Sequence, residues 1–236
     1  IIENAALEPE IEDLGKFLIS MGAKIEGLGT SIIRIQGVNS LSGTEYQAIP
    51  DRIEAITYLM AALATKGEVV IKGIIPSHFE SVWQLLIDHG AKLEIGRDYI
   101  RTFASEIKPM IIETRPFPGF PTDAQAQTMA LMTVINGSSV ITENIFENRF
   151  MHVPEMMRLN AKITLKGPTA IVNGGEKLIA APVMCTDLRA SAALVLTALC
   201  AHGVSEVRRI YHLDRGYENL DQKFKALGAK IERVPE

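Results

Sequence analysis

Gly22-Ala23-Lys24, Gly90-Ala91-Lys92, Asn160-Ala161-Lys162 and Gly228-Ala229-Lys230 close four Leu-x-x-x-Gly-Ala-Lys-like segments. They recur at steps of 68, 70 and 68 residues. A period this regular means that the chain is built from copies of one supersecondary unit. Each copy reads as two helices and several strands. The first helix type opens at Pro50-Asp51, Thr122-Asp123 and Thr186-Asp187, and runs as 52–65, 124–135 and 188–201. Gly67, Gly137 and Gly203 follow these helices as stop signals. The second type spans 77–89, 153–159 and 217–227 and ends at the signature. Strands such as Glu68-Val69-Val70-Ile71, Ser139-Val140-Ile141-Thr142 and Lys92-Leu93-Glu94-Ile95 lie between and after the helices.

The two helix types differ in polarity. Residues 124–135 and 188–201 are small or apolar almost all the way round, which predicts burial on every side. The second type keeps a polar face, as in Asp221-Gln222-Lys223-Phe224-Lys225. Strands such as Ile33-Arg34-Ile35-Gln36 alternate and so have one wet face. The expected fold is an inside-out α/β barrel of repeated βαβαββ units, helices inside and sheets outside, with three-fold pseudo-symmetry. Residues 1–47 hold one helix (9–21), a signature and strands, the tail of a first domain. Residues 48–236 hold nearly three units, a second domain.

The chain has 236 residues, 47% hydrophobic and 22% charged, with a net charge of −4. This balance gives no reason to expect nucleic acid or an anionic membrane surface as partner. The longest weakly charged run, Ala190 to Ala201, is too short to span a bilayer. Cys185 and Cys200 make no disulfide framework and read as buried small apolar residues in a reducing, cytoplasmic setting. The chain begins at Ile1 without a Met, inside what reads as a strand-to-helix passage, so a fragment or processed product is expected. No His/Cys spacing suggests a metal, and no cofactor is expected.

Three segments near helix starts are dense in polar groups. In Pro116–Gln125, Thr122 and Gln125 have capping-box spacing. With Thr122 as cap, the Asp123 carboxylate is free to face a cleft; the alternative is that Asp123 complements the dipole, as Asp51 and Asp187 do. In Thr142–Glu155, two carboxylates, two Asn and Arg149 lie close together, suited to sugar hydroxyls or equally to a solvated loop; His152 reads as structural. In the third, Arg189 and Arg215 sit at or just before expected helix starts, where their charge opposes the dipole. Pairing with Asp187 and Asp214 is the plainer account; Gly216 offers a mobile hinge for the Arg215 loop.

Pro121-Thr122-Asp123-x-Gln125-Ala126-Gln127, Phe146-Glu147-Asn148-Arg149-Phe150-Met151-His152-Val153-Pro154-Glu155, Thr186-Asp187-Leu188-Arg189-Ala190-Ser191 and Asp214-Arg215-Gly216-Tyr217-Glu218 resemble the fingerprints of the UDP-N-acetylglucosamine 1-carboxyvinyltransferase family of enolpyruvyl transferases. Ile2-Glu3-Asn4-Ala5-Ala6 and Pro50-Asp51-Arg52-Ile53-Glu54 match as well, so the resemblance covers the whole chain. It implies a two-domain bacterial enzyme of peptidoglycan synthesis that transfers enolpyruvyl from phosphoenolpyruvate to the 3-hydroxyl of UDP-N-acetylglucosamine. By the resemblance Asp123 is the base at that hydroxyl and Arg215 closes on phosphoenolpyruvate. Asp187 and Arg189 contribute around the tetrahedral intermediate, Ile145 contacts the nucleotide sugar, and Glu147 and Arg149 support. The family's N-terminal portion supplies a Lys-Asn pair and a Cys-bearing loop that this chain lacks, so that portion is an expected partner. A shikimate-pathway enolpyruvyl transferase shares fold and phosphoenolpyruvate, but the Phe146–Glu155 segment argues against it. A non-catalytic repeat scaffold or fragment is the alternative of another class.

Overall fold

The computed structural model describes residues 1–234. A first stretch holds β1 (Ile2–Glu3), α1 (Pro9–Ser20), β2 (Lys24–Glu26) and β3 (Ile32–Gln36). The next unit runs through α2 (Arg52–Ala64), β4 (Val70–Lys72), α3 (Glu80–Asp88), β5 (Lys92–Ile95), β6 (Tyr99–Phe103) and β7 (Ile111–Glu113). It is repeated as α4 (Gln125–Met132), β8 (Gly137–Thr142), α5 (Val153–Arg158), β9 (Lys162–Lys166), β10 (Thr169–Gly174) and β11 (Pro182–Met184). A third pass contains α6 (Leu188–Leu199), β12 (Glu206–Arg208), α7 (Tyr211–Asp214) and α8 (Leu220–Ala226).

The inner helices α2, α4 and α6 pack on one another in all three pairings. Every residue of α4 is buried, as are Ala190–Thr197 of α6. The sheets lie outside them in the orders β1-β3-β2, β4-β6-β5, β7-β8-β10-β9 and β11-β12. β7 pairs parallel with β8 across α4, and β11 parallel with β12 across α6. α4 and α6 are thus each the crossover of a parallel strand pair, whereas β3 and β4 on either side of α2 belong to different sheets, and the later strands of a unit return antiparallel. Core-facing residues alternate along the strands, as with Ala170 and Val172 of β10. This is an inside-out α/β barrel. Among the described residues, the continuous apolar core runs from Ile53 to Phe224 and includes nothing before it.

The repeated signature has one physical cause. Gly22, Gly90, Asn160 and Gly228 all have positive φ, between 70° and 104°. The next residue, always Ala, donates its N–H back to the carbonyl of Leu18, Leu86, Met156 or Phe224. The signature residue itself donates to Ile19, Ile87, Met157 or Lys225. These paired bonds satisfy carbonyls that a helix end otherwise leaves open, and they require a left-handed residue, hence Gly or Asn.

Two expectations are corrected. Thr122 does not cap its helix: residues Thr122–Ala124 form a 3₁₀ turn in which the Ala124 N–H donates to the Pro121 carbonyl, and the Thr122 hydroxyl donates to Glu143 instead. The helix expected over 217–227 is shorter, because Asn219 is left-handed (φ 49°) and α8 starts only at Leu220.

Gly174 marks the closest approach of sheet to inner helix. A Cβ there would collide with the carbonyl oxygens of Met132 and Ile135, just where the Gly175 N–H receives the α4 end by donating to Thr133. Gly174→Ala should therefore cost on the order of 2–3 kcal/mol, read as a fall in the denaturant midpoint with an unchanged slope. His152, 1% exposed beside Asp187 and Arg149, is pushed down by burial to about 4. Between its unfolded value of 6.5 and about 4, the unfolded chain binds a proton that the folded chain refuses. Stability should be intact above pH 6.5 and fall by about 3 kcal/mol through that window. The His152→Asn protein, compared with wild type in urea melts at several pH values, should lose this part of the acid slope.

Candidate active site

The inner helices are buried along their length, so their polar chemistry collects at their N-terminal ends. The three Asp residues there behave differently. Asp51 accepts from the N–H groups of Ile53 (2.7 Å) and Glu54 (3.1 Å), and Asp187 from that of Ala190 (2.9 Å). Both carboxylates are engaged in holding their own helix ends. Asp123 accepts no backbone N–H among the described residues, because the 3₁₀ turn around it is closed by the Pro121 carbonyl. Its Oδ1 accepts from Arg149 at 2.7 Å and its Oδ2 from Arg189 at 3.1 Å. The Asp123 side chain stays 40% exposed, while the two Arg side chains are 15% and 16% exposed. Each carboxylate oxygen has a lone pair to spare for a further donor.

Arg189 is the second residue of α6, and its guanidinium also reaches the Tyr217 hydroxyl at 3.5 Å. That hydroxyl lies 2.8 Å from Thr57 Oγ1 of α2, and the Gln127 amide of α4 donates to the Thr57 and Tyr217 hydroxyls at 3.2 and 3.4 Å. A polar chain through the centre of the molecule thus fixes the Arg189 end of the pair. Burial works against the Arg189 charge, but the Asp123 carboxylate and the Tyr217 hydroxyl more than offset it and raise its pKa.

Arg149 stands on the loop between β8 and α5, with its guanidinium 5.0 Å from the Phe146 ring centroid. Asn148, directly before it, is left-handed (φ 54°). The loop is anchored at its base by Glu143, whose Oε1 accepts from Thr114 Oγ1 (2.8 Å), Ile145 N (2.9 Å) and Phe146 N (3.0 Å). Glu143 Oε2 accepts from Thr122 Oγ1 (2.9 Å). Within this segment, then, Glu143 is a buried joint, not one of the carboxylates turned to solvent.

A cavity of about 730 Å³ opens beside the Asp123–Arg189 pair. Its other wall is α1 and the irregular passage into α2, including Glu10, Asp13, Tyr46 and Pro50–Ile53. That wall is tied to the inner helices by Arg52, which donates to both carboxylate oxygens of Glu10 at 2.7 and 3.3 Å. Tyr46 donates to the Asp13 carboxylate at 2.7 Å.

The remaining expected site residues lie outside the lining of this cavity. Ile145 is 43% exposed and its N–H is committed to Glu143. Glu147 is exposed on the same loop. Asp187 is half-buried and engaged as a helix cap. Arg215 ends the short helix α7 instead of preceding a helix, so the expected clash with a dipole does not arise. It is exposed and, among the described residues, makes no ion pair. Asp214, its expected partner, is held by Arg233 at 2.6 Å. At Gly216 an added Cβ would meet the tip of the Leu188 side chain at the start of α6, which can turn aside. Glu143 and Tyr217 as organising groups escaped the sequence reading, since their partners are distant along the chain.

Neither cysteine is poised as a nucleophile. Burial pushes the Cys200 thiol up to about 11 and raises that of Cys185 as well. No helix among the described residues is long and apolar enough to cross a membrane.

The family model described as EPSP synthase (3-phosphoshikimate 1-carboxyvinyltransferase) matches residues 1–224. The chain is 52% identical over 238 aligned positions to the UDP-N-acetylglucosamine 1-carboxyvinyltransferase of Maricaulis maris, covering 100% of this chain and 56% of that protein. It spans about half the length of the curated relatives it matches. Among solved structures, the enolpyruvyl transferase NikO from Streptomyces tendae superposes with a TM-score of 0.87 at 27% identity, over 98% of this chain and 55% of that one. The EPSP synthase from Acinetobacter baumannii shares the fold at a TM-score of 0.72 and 16% identity, over 94% of this chain and 55% of that one. With the helix-centred barrel, the fingerprint segments and the family match in agreement, the chain belongs to the EPSP synthase family of enolpyruvyl transferases.

Proposed function

We propose that this chain supplies about half of a bacterial, cytoplasmic UDP-N-acetylglucosamine 1-carboxyvinyltransferase. In this reading residues 1–47 are the tail of a first domain and 48–236 are the second. The start of the apolar core at Ile53 supports the boundary. The substrates, phosphoenolpyruvate and the nucleotide sugar, meet in the cleft between domains, and the N-terminal portion of the enzyme completes its other wall. The observation that carries the reading is Asp123: alone among the three equivalent Asp residues it is released from capping and turned, between two guanidiniums, toward a cavity.

The reaction proceeds by addition and elimination. The sugar 3-hydroxyl oxygen bonds to C2 of phosphoenolpyruvate, its proton passes to a base, and the methylene carbon gains a proton to become methyl. The resulting ketal loses phosphate and a methyl proton, restoring the vinyl group on the new ether. Asp123 is the base at the hydroxyl, a role worth roughly 10²–10⁴ in rate. Arg189 and Arg149 hold its carboxylate in one orientation and leave its spare lone pairs for the incoming O–H. A guanidinium fork suits the carboxylate and phosphate of phosphoenolpyruvate, and Arg215 is exposed and makes no ion pair among the described residues. Asp187 contributes near the intermediate through the α6 start, while Ile145 and Glu147 face the nucleotide sugar from the loop.

In the full-length enzyme, Asp123→Ala should lower kcat by roughly 10²–10⁴ and leave nucleotide-sugar affinity, measured by calorimetry, nearly unchanged. Unaltered turnover would remove Asp123 as base. Arg215→Ala should raise the KM for phosphoenolpyruvate about tenfold or more; an effect confined to the nucleotide sugar would contradict its assignment.

A further inference from the structure

Glu143 lies at the end of β8, 5% exposed, and its carboxylate gathers donors from three separated stretches. Thr114 follows β7. Thr122 opens the turn that carries Asp123. The N–H groups of Ile145 and Phe146 begin the loop that carries Arg149. The Asn144 N–H, donating to the Thr114 hydroxyl at 2.8 Å, strengthens the same joint. A buried carboxylate whose acceptor sites are taken up in this way is not available to a sugar hydroxyl. What it does is couple two backbones whose side chains meet at the 2.7 Å Arg149–Asp123 contact.

We infer that Glu143 is a positioning residue for the transfer reaction: it locks the Asp123 turn to the Arg149 loop and thereby sets the direction of the Asp123 carboxylate. The inference rests on the functional reading above. It differs from a purely stabilising role in that loosening the joint harms the chemical step of molecules that remain folded. It differs from a catalytic role in that the charge itself is dispensable. A glutamine can keep the joint, because its carbonyl takes the place of Oε1 with three donors. Its NH₂ takes the place of Oε2 and donates to the Thr122 hydroxyl, which can accept.

The test compares Glu143→Ala, Glu143→Gln and Thr122→Val in the full-length enzyme, with kcat corrected for the folded fraction from thermal melts. Glu143→Ala should lose roughly 100-fold in kcat, the scale of a small misplacement of reacting groups, with KM for phosphoenolpyruvate within about threefold. Glu143→Gln should restore most of that loss. Thr122→Val, which removes one bond of the joint and keeps the test alive if the alanine variant does not fold, should lose about tenfold. Wild-type kcat in folded Glu143→Ala or Thr122→Val overturns the inference, and so does a glutamine variant as slow as the alanine one. If the wild-type enzyme transfers no enolpyruvyl group, the functional reading fails on its own. Crystal structures of wild type and Thr122→Val then decide the joint: Arg149 displaced from Asp123 upholds it, and an unmoved contact overturns it.

Discussion

Burial of the three inner helices on all sides is the constraint from which the rest follows. A helix surrounded by other helices and by sheets can carry few polar side chains along its length, since each would need a partner away from water. Thr57, Thr128 and Thr197 illustrate the permitted exception: each hydroxyl donates to the carbonyl four residues back in its own helix. Polar chemistry is therefore displaced to the helix starts, where unpaired N–H groups attract carboxylates. All three starts carry an Asp. The candidate site centres on the one of them, Asp123, that sits on a 3₁₀ turn closed by backbone and is not consumed by its own helix.

That release has a structural cost, met by neighbouring elements. Arg149 and Arg189 are both largely withdrawn from solvent, and each requires an anionic or polar counterpart. Asp123 serves both, Tyr217 supports Arg189 from within the core, and Glu143 holds the loop from which Arg149 projects. The pair is thus positioned from four directions: the α4 start, the α6 start, the loop after β8 and the segment before α8. The cavity wall opposite belongs to α1, so the cavity lies where the first stretch of chain meets the inner-helix ends.

The repeat was legible because its determinant is local. Gly or Asn followed by Ala, with an apolar residue four positions upstream, is what a left-handed helix stop requires, and four copies agree. The all-apolar character of 124–135 and 188–201 likewise reported burial without reference to any other part of the chain. Asp123 was recognisable as a candidate, though its difference from Asp51 and Asp187 was not. Capping-box spacing pointed to Thr122, and only the hydroxyl's turn toward Glu143, 21 residues away, decides otherwise. Arg215 was misplaced relative to its helix because a left-handed Asn219 splits a pattern that reads as continuous. Glu143 reads from sequence as one of two carboxylates suited to sugar hydroxyls or to a solvated loop, since its partners Thr114 and Thr122 are remote along the chain.

The mutual packing of α2, α4 and α6 also sets how the molecule comes apart. In a linear array of repeats each copy touches only its neighbours, and an end copy can fray or be deleted with the others intact. Here every inner helix leans on both of the others. Losing one would strip cover from two apolar surfaces at once, so the ring of repeats melts as one unit and tolerates no shortening by a copy.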